Sequence, residues 1–93
     1  MEVVSTEAAV MWWVYIIEAA DGSLYTGITN HLLRRWLAHC QGKGAKYLRS
    51  RPPKCLVYVE LQPDRSMASK REAAIKRLTR QQKLALIQSD LTR

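Results

Sequence analysis

Five residues of this 93-residue chain could do chemistry together: Tyr15, Tyr25, Arg35, His39 and Glu72. An arginine supplies fixed positive charge in a geometry that matches phosphate oxygens. A single carboxylate can hold a hydrated Mg²⁺, which keeps several waters and accepts phosphate oxygens as further ligands. Tyrosine, with an ordinary pKa of about 10, becomes a usable base only where cations draw it down. Cleavage of a phosphodiester needs a base for water, positive charge on the pentacovalent phosphorus and help for the leaving oxygen. The five residues contain each of these parts, provided the fold brings them to one place.

The stretch from Trp13 to His39 must do most of that positioning. Trp12–Glu18 (WWVYIIE) and Leu24–Thr29 (LYTGIT) are rich in aromatic and β-branched residues, and Ala20-Asp21-Gly22 supplies a turn between them. Register decides whether the tyrosines cooperate. A two-residue Asp-Gly loop pairs Ala20 with Ser23 and sends Tyr15 and Tyr25 to opposite faces. A three-residue loop ending in left-handed Gly22 pairs Ala19 with Ser23, which sets Tyr15 opposite Gly27 and Tyr25 opposite Ile17. Both tyrosines then share a face as diagonal neighbours, about 7–8 Å apart. Gly27 leaves room over Tyr15. We favour this second register.

Asn30 as N-cap and Gly42 as C′ bracket a helix over His31–Gln41. Leu32, Leu33, Trp36, Leu37 and Cys40 form its apolar face, with His31, Arg35 and His39 along the flank. His31 sits at the fraying first turn and reads as solvated. The basic segment Gly42–Arg51 predicts a loop and one short helix, stopped by Pro52-Pro53. Its four basic residues, with Tyr47 among them, suit phosphate contact and base stacking, although a solvated lysine-rich loop has the same composition. Lys54–Leu61 reads as a third strand.

Asp64 or Ser66 starts a helix to about Leu78, with Met67, Ala68, Ala74, Ile75 and Leu78 inward. Glu72 falls at the boundary of that inner side, alone among Lys70, Arg71, Lys76 and Arg77. A carboxylate so placed costs desolvation unless something positive meets it. Either a neighbouring arginine or a metal ion would serve. Thr79-Arg80-Gln81-Gln82 is a capping box for a last helix to about Ser89, packed through Leu84, Ile87 and Leu91.

The charge points to a polyanionic partner. The chain carries 15 Lys+Arg against 8 Asp+Glu, a net of +7. Counted along the sequence, 14 of the 15 basic residues lie between Arg34 and Lys83, opposed there only by Glu60, Asp64 and Glu72. Nucleic acid is the commonest partner of so dense an excess. No run of 18 or more apolar residues could span a membrane, and no broad apolar face suits a membrane surface. Residues 1–11 read as an N-terminal extension, without the positive charge that opens a secretory leader, and residues 12–90 as a single domain. Cys40 and Cys55 belong to no CxxC and read as small buried hydrophobes of a reduced, cytoplasmic protein.

Several of these residues, taken in order, resemble the GIY-YIG nuclease domain, specifically its small stand-alone bacterial members of the YhbQ type. Trp13-Val14-Tyr15 stands where the GIY triplet belongs and Tyr25-Thr26-Gly27 where YIG belongs. Arg35 and His39 follow at the family's helix spacing. Lys43-Gly44-Ala45-Lys46 is similar to the GKGAK segment of the stand-alone subgroup, and Glu72, followed by Ile75-Lys76, matches the metal-binding glutamate. Trp13 and Thr26 replace the glycine and isoleucine of the triplets. Ile28 stands where repair-type members carry lysine, and no asparagine follows Glu72.

The resemblance covers about Trp12 to Ile87. It implies an α+β fold, a three-stranded antiparallel sheet flanked by helices in the order β-β-α-α-β-α-α. It implies hydrolysis of DNA with one Mg²⁺ or Mn²⁺ on Glu72, and Tyr15, Tyr25, Arg35, His39 and Glu72 as catalytic residues. Arg34, Lys43, Lys46, Tyr47, Arg49 and Lys76 are the candidates for nucleic-acid contact. DNA is the expected partner, with RNA left open and repair or processing of structured DNA the expected setting. The alternative class is a module that binds nucleic acid through the same basic face and cleaves nothing.

Overall fold

The computed structural model describes residues 10–91; positions 1–9, most of the expected N-terminal extension, lie outside the described residues. The elements are β1 (Trp12–Ala19), β2 (Leu24–Thr29), α1 (Leu32–Cys40), α2 (Lys46–Ser50), β3 (Pro53–Gln62), α3 (Arg65–Lys76) and α4 (Arg80–Leu91). The three strands form one antiparallel sheet in the order β2-β1-β3, and the helices flank it in the expected sequence.

β1 is the central strand, and its composition follows from that place. Val14, Tyr15, Ile16 and Ile17 are each no more than 2% exposed, because helices or loops cover both sheet faces. Val14 and Ile16 pack on one side with Tyr58, Ala68 and Ile75, under α3. Tyr15, Ile17 and Ala19 pack on the other with Leu48, Tyr25, Leu32 and Trp36, under α1 and α2.

The hairpin adopts the three-residue loop. Ala19 N–H donates to Ser23 O at 2.9 Å, and Gly22 N–H returns to Ala19 O at 2.9 Å. Gly22 takes φ 86°, a conformation open to glycine at little cost. Tyr15 consequently faces Gly27 and Ile17 faces Tyr25, the register that sets both tyrosines on the α1 side.

Four sequence expectations shift. α1 starts one residue later than predicted, at Leu32, with His31 as N-cap accepting from Arg34 N–H at 3.4 Å in place of Asn30. α1 is also rotated about one residue from the expected face. Leu32 and Trp36 meet the sheet and His39 is buried, while Leu33 and Leu37 remain exposed, and so does Cys40, read from sequence as buried. In this orientation both ring nitrogens of the buried imidazole find partners beneath the helix. On α3, Ala68 and Ile75 lie seven residues apart on the line facing the sheet, and Met67 falls beside that line and is exposed. On α4, Leu86 and Ile87 make the packing contact, and Leu84 is exposed. Its capping box forms as expected: Thr79 N–H donates to Gln82 Oε1 at 2.9 Å and Gln82 N–H to Thr79 Oγ1 at 3.1 Å.

Candidate active site

The hairpin register and the C-terminal end of α1 together make the site. Tyr15 and Tyr25 lie with ring centroids 6.4 Å apart, and His39 sits 5.8 Å from the first and 5.7 Å from the second. The Tyr15 hydroxyl is 2.9 Å from His39 Nε2. Tyr15 crosses over Gly27, where a Cβ would stand 2.7 Å from the tyrosine Cζ. The space that the sequence suggested over Tyr15 is therefore taken by the phenol end of Tyr15 itself.

His39 is 1% exposed, which is unusual for a polar residue in the last turn of a helix. The chain accommodates it by reversing sharply. Gly42, at φ 75°, closes α1: its N–H bonds His39 O at 3.2 Å, and Lys43 N–H bonds Ala38 O at 2.9 Å. The following residues then return beneath the helix, and Ala45 N–H donates to His39 Nδ1 at 3.3 Å. Burial, reinforced by the nearby charge of Arg35, pushes the His39 pKa down to about 4. The imidazole is accordingly neutral at physiological pH.

Tyr15 is displaced in the other direction. Burial raises its pKa above the ordinary phenol value, a hydrogen bond and charge from Arg35 pull it back, and the charges of Tyr25 and Glu72 push it up. The net effect is upward. Arg35, half-buried one turn before His39, is the cation that counters it.

The basic segment adds a surface next to this centre. Tyr47 stacks on Tyr25 at 5.8 Å with 25° between the planes, and Arg51 lies 4.4 Å over Tyr47. Arg51 also pairs with Asp21 of the hairpin turn at 3.2 Å. Sequence reasoning counted Arg51 among the basic residues of the segment but did not place it on Tyr47, although the four-residue spacing across a short helix was a usable signal. Lys43, Lys46 and Arg49 are exposed along the same segment. Arg34 is separate: it lines a recess on the outer side of α1 with His31, Leu33 and Leu37.

Glu72 comes from α3, which packs on the opposite sheet face through Ala68 and Ile75, yet its charge reaches Tyr15. Its side chain is 23% exposed and pairs with Lys76 at 3.1 Å, a lysine rather than the arginine considered from sequence. A second half-buried carboxylate, Glu60, was not singled out from sequence. It accepts from Tyr58 Oη and Gln62 Nε2, each at 2.6 Å, and from Arg71 Nε at 2.9 Å. Burial works to raise the Glu60 pKa, but these bonds and the Arg71 charge hold it below the usual carboxylate range. Glu60 is thus committed to structure, whereas Glu72 pairs with a single exposed lysine.

The described residues contain no group of three or more His, Cys, Asp and Glu side chains that could cage a metal. That excludes a closed zinc-type site among them. A single carboxylate on an exposed, displaceable lysine fits a hard cation that keeps its waters and takes remaining oxygens from a substrate phosphate.

Residues 11–85 match the GIY-YIG catalytic domain. The chain is 53% identical over 79 residues to a UPF0213 protein of Desulfotalea psychrophila, covering 84% of this chain and 72% of the relative. A UPF0213 protein of Clostridium perfringens is also 53% identical over 79 residues, with 85% of each chain covered. Among solved structures, a solution NMR structure of an E. faecalis protein superimposes with a TM-score of 0.62 at 37% identity, over 89% of this chain and 88% of that one. The UPF0213 protein of Bacillus halodurans gives 0.55 at 42% identity, over 84% and 83%.

Proposed function

The chain belongs to the GIY-YIG family of nuclease domains, and from that premise we propose that it is a divalent-metal-dependent nuclease hydrolysing DNA phosphodiester bonds. The setting we infer is repair or processing of structured DNA. The observation that carries the reading is the convergence of Tyr15, Tyr25, Arg35 and His39 on one face, beside the aromatic and basic segment of Tyr47. In this reading Arg35 holds the scissile phosphate through fixed, planar donors. The tyrosinate oxygen of Tyr15 or Tyr25 takes the proton of the attacking water as the water oxygen bonds phosphorus. The bond from phosphorus to the leaving oxygen then breaks, and that oxygen acquires a proton from solvent. His39 supports the tyrosine oxygen. Glu72 would hold Mg²⁺ or Mn²⁺, which supplies positive charge for the leaving oxygen when bound. Lys43, Lys46, Arg49 and Lys76 contact phosphates along the strand, Tyr47 takes a base in the place where Arg51 lies over its ring, and Arg34 extends the contact from the outer side of α1.

The test incubates purified protein with labelled single-stranded, nicked, branched and duplex DNA, and matching RNA, in Mg²⁺, Mn²⁺ or EDTA. We expect metal-dependent cleavage of DNA. Glu72→Gln keeps the size of the side chain and should abolish cleavage while leaving DNA binding intact; cleavage undiminished in that variant or in EDTA defeats the one-metal reading. One observation favours a binding module instead, namely that Lys76 already neutralises Glu72. Tight binding with no cleavage of any substrate in any metal selects it.

A further inference from the structure

Gly44 is not glycine for the sake of its backbone angles, since the described glycines with positive φ are Gly22 and Gly42 alone. It is glycine for clearance. A Cβ at position 44 would stand 2.8 Å from His39 Cε1 and 2.9 Å from Cγ, and closer still to Nδ1. Real Cβ atoms do not approach a ring so closely, so a side chain here must shift either the loop or the imidazole. The close approach lets the next residue, Ala45, bring its backbone N–H to within 3.3 Å of His39 Nδ1.

That contact has a fixed sense. A backbone amide only donates, so Nδ1 must be the bare acceptor nitrogen. The ring is neutral, so its one proton sits on Nε2, the nitrogen 2.9 Å from the Tyr15 hydroxyl. We propose that the Gly44-Ala45 backbone is a positioning element that locks His39 in the Nε2–H tautomer, making Tyr15 oxygen the acceptor and turning the Tyr15 proton away from His39. Two consequences follow under the nuclease reading, on which this part rests. His39 cannot take the Tyr15 proton, because the facing nitrogen already carries one. It instead donates to that oxygen and stabilises negative charge there, alongside Arg35. Tyr15 must then lose its own proton away from His39 before its oxygen can take one from water.

The decisive measurement is a long-range ¹H–¹⁵N correlation spectrum of the labelled protein at pH 7, which distinguishes protonated from bare ring nitrogens. Only two histidines occur, and His31→Asn assigns the remaining signal set to His39. We expect Nε2 protonated and Nδ1 bare. A dominant Nδ1–H form, or an imidazolium, overturns the proposal whether or not the protein cleaves anything. Gly44→Ala should abolish the single-tautomer pattern and, where the parent cleaves, reduce kcat by about 10²-fold, the cost typical of misplaced catalytic groups, with DNA affinity retained. A folded Gly44→Ala protein with an unchanged His39 spectrum and full activity also overturns it. If that variant fails to fold, the parent spectrum still decides. Absence of cleavage by the parent together with the Nε2–H pattern would sink the nuclease reading and leave the lock standing.

Discussion

Burying a neutral histidine should cost this protein stability as the pH falls, and the size of the loss follows from the site. In the unfolded chain His39 titrates at its ordinary value of about 6.5; in the folded protein, burial and the adjacent Arg35 hold it at about 4. Between these values the unfolded state binds the proton that the folded state refuses. Stability is therefore complete above the unfolded pKa and is lost as pH falls toward the folded one. Integrating that difference gives a loss of about 2 kcal/mol by pH 5 and about 3 kcal/mol by pH 4. For a domain of this size either figure is a large part of the total. The assay is urea unfolding followed by tryptophan fluorescence at pH 7, 6 and 5, on the parent and on His39→Gln. Asp21 and Glu60 keep the same partners in both proteins, so their contributions cancel in the difference. His39→Gln should be less stable at pH 7, with the gap closing by about 2 kcal/mol at pH 5. Parallel pH dependence of parent and variant, to within about 0.5 kcal/mol, the usual additivity limit, would refute the account of His39 as a buried neutral group.

The same electrostatics predict the shape of the catalytic pH profile. With Tyr15 held above its ordinary pKa, kcat/KM should keep rising through pH 8 to 9.5; an inflection near pH 6.5 that disappears in His39→Gln would show instead that His39 exchanges the proton. Gly27→Ala puts a methyl carbon 2.5 Å from the Tyr15 hydroxyl, so thermal unfolding should show a loss of about 1–3 kcal/mol from overpacking and cleavage should fall with it; a neutral outcome would mean Tyr15 has another resting place. Replacing Lys43, Lys46 and Arg49 together by alanine should weaken DNA binding for all sequences alike and flatten its dependence on salt, measured by fluorescence anisotropy between 50 and 300 mM KCl, concentrations spanning about a twofold change in Debye length. A parent whose affinity ignores salt would count against a basic binding surface.

The fold was legible in the sequence wherever one local rule was decisive. The turn residues Ala20-Asp21-Gly22 left two registers, and the favoured one, a three-residue loop ending in left-handed Gly22, is the one observed, down to Tyr15 opposite Gly27. The reciprocal cap at Thr79 and Gln82 was equally readable, because both partners lie within four residues. The rotation of α1 was not. Leu33 and Leu37 are as apolar as Leu32 and Trp36, and periodicity alone cannot rank two adjacent stripes of one helix. What separates them is a long-range fact, the partners waiting for His39 from Tyr15 and Ala45, 24 residues before it and 6 after. Exposed Cys40 follows from the same rotation.

That rotation is also what turns a list of reactive residues into a site. With Leu33 and Leu37 turned inward instead, His39 would face solvent at a pKa near its ordinary value and would be partly charged beside Arg35 near neutral pH. Rotated as it is, α1 submerges His39, and the low-dielectric surroundings keep it uncharged and able to donate. Arg35, one turn earlier on the same helix, is then the cation acting on Tyr15 without competition from its neighbour. The exposed Leu33 and Leu37 are the visible cost of this arrangement, since a helix of nine residues offers one stripe to the sheet. Giving that stripe to a histidine forfeits apolar burial of about 1.5–3 kcal/mol per leucine. Substituting both leucines with glutamine should therefore leave stability nearly unchanged in urea unfolding, whereas the same double change at Leu32 and Trp36 should unfold the domain. A large loss at Leu33 and Leu37 would show that the apolar stripe, and not His39, orients the helix.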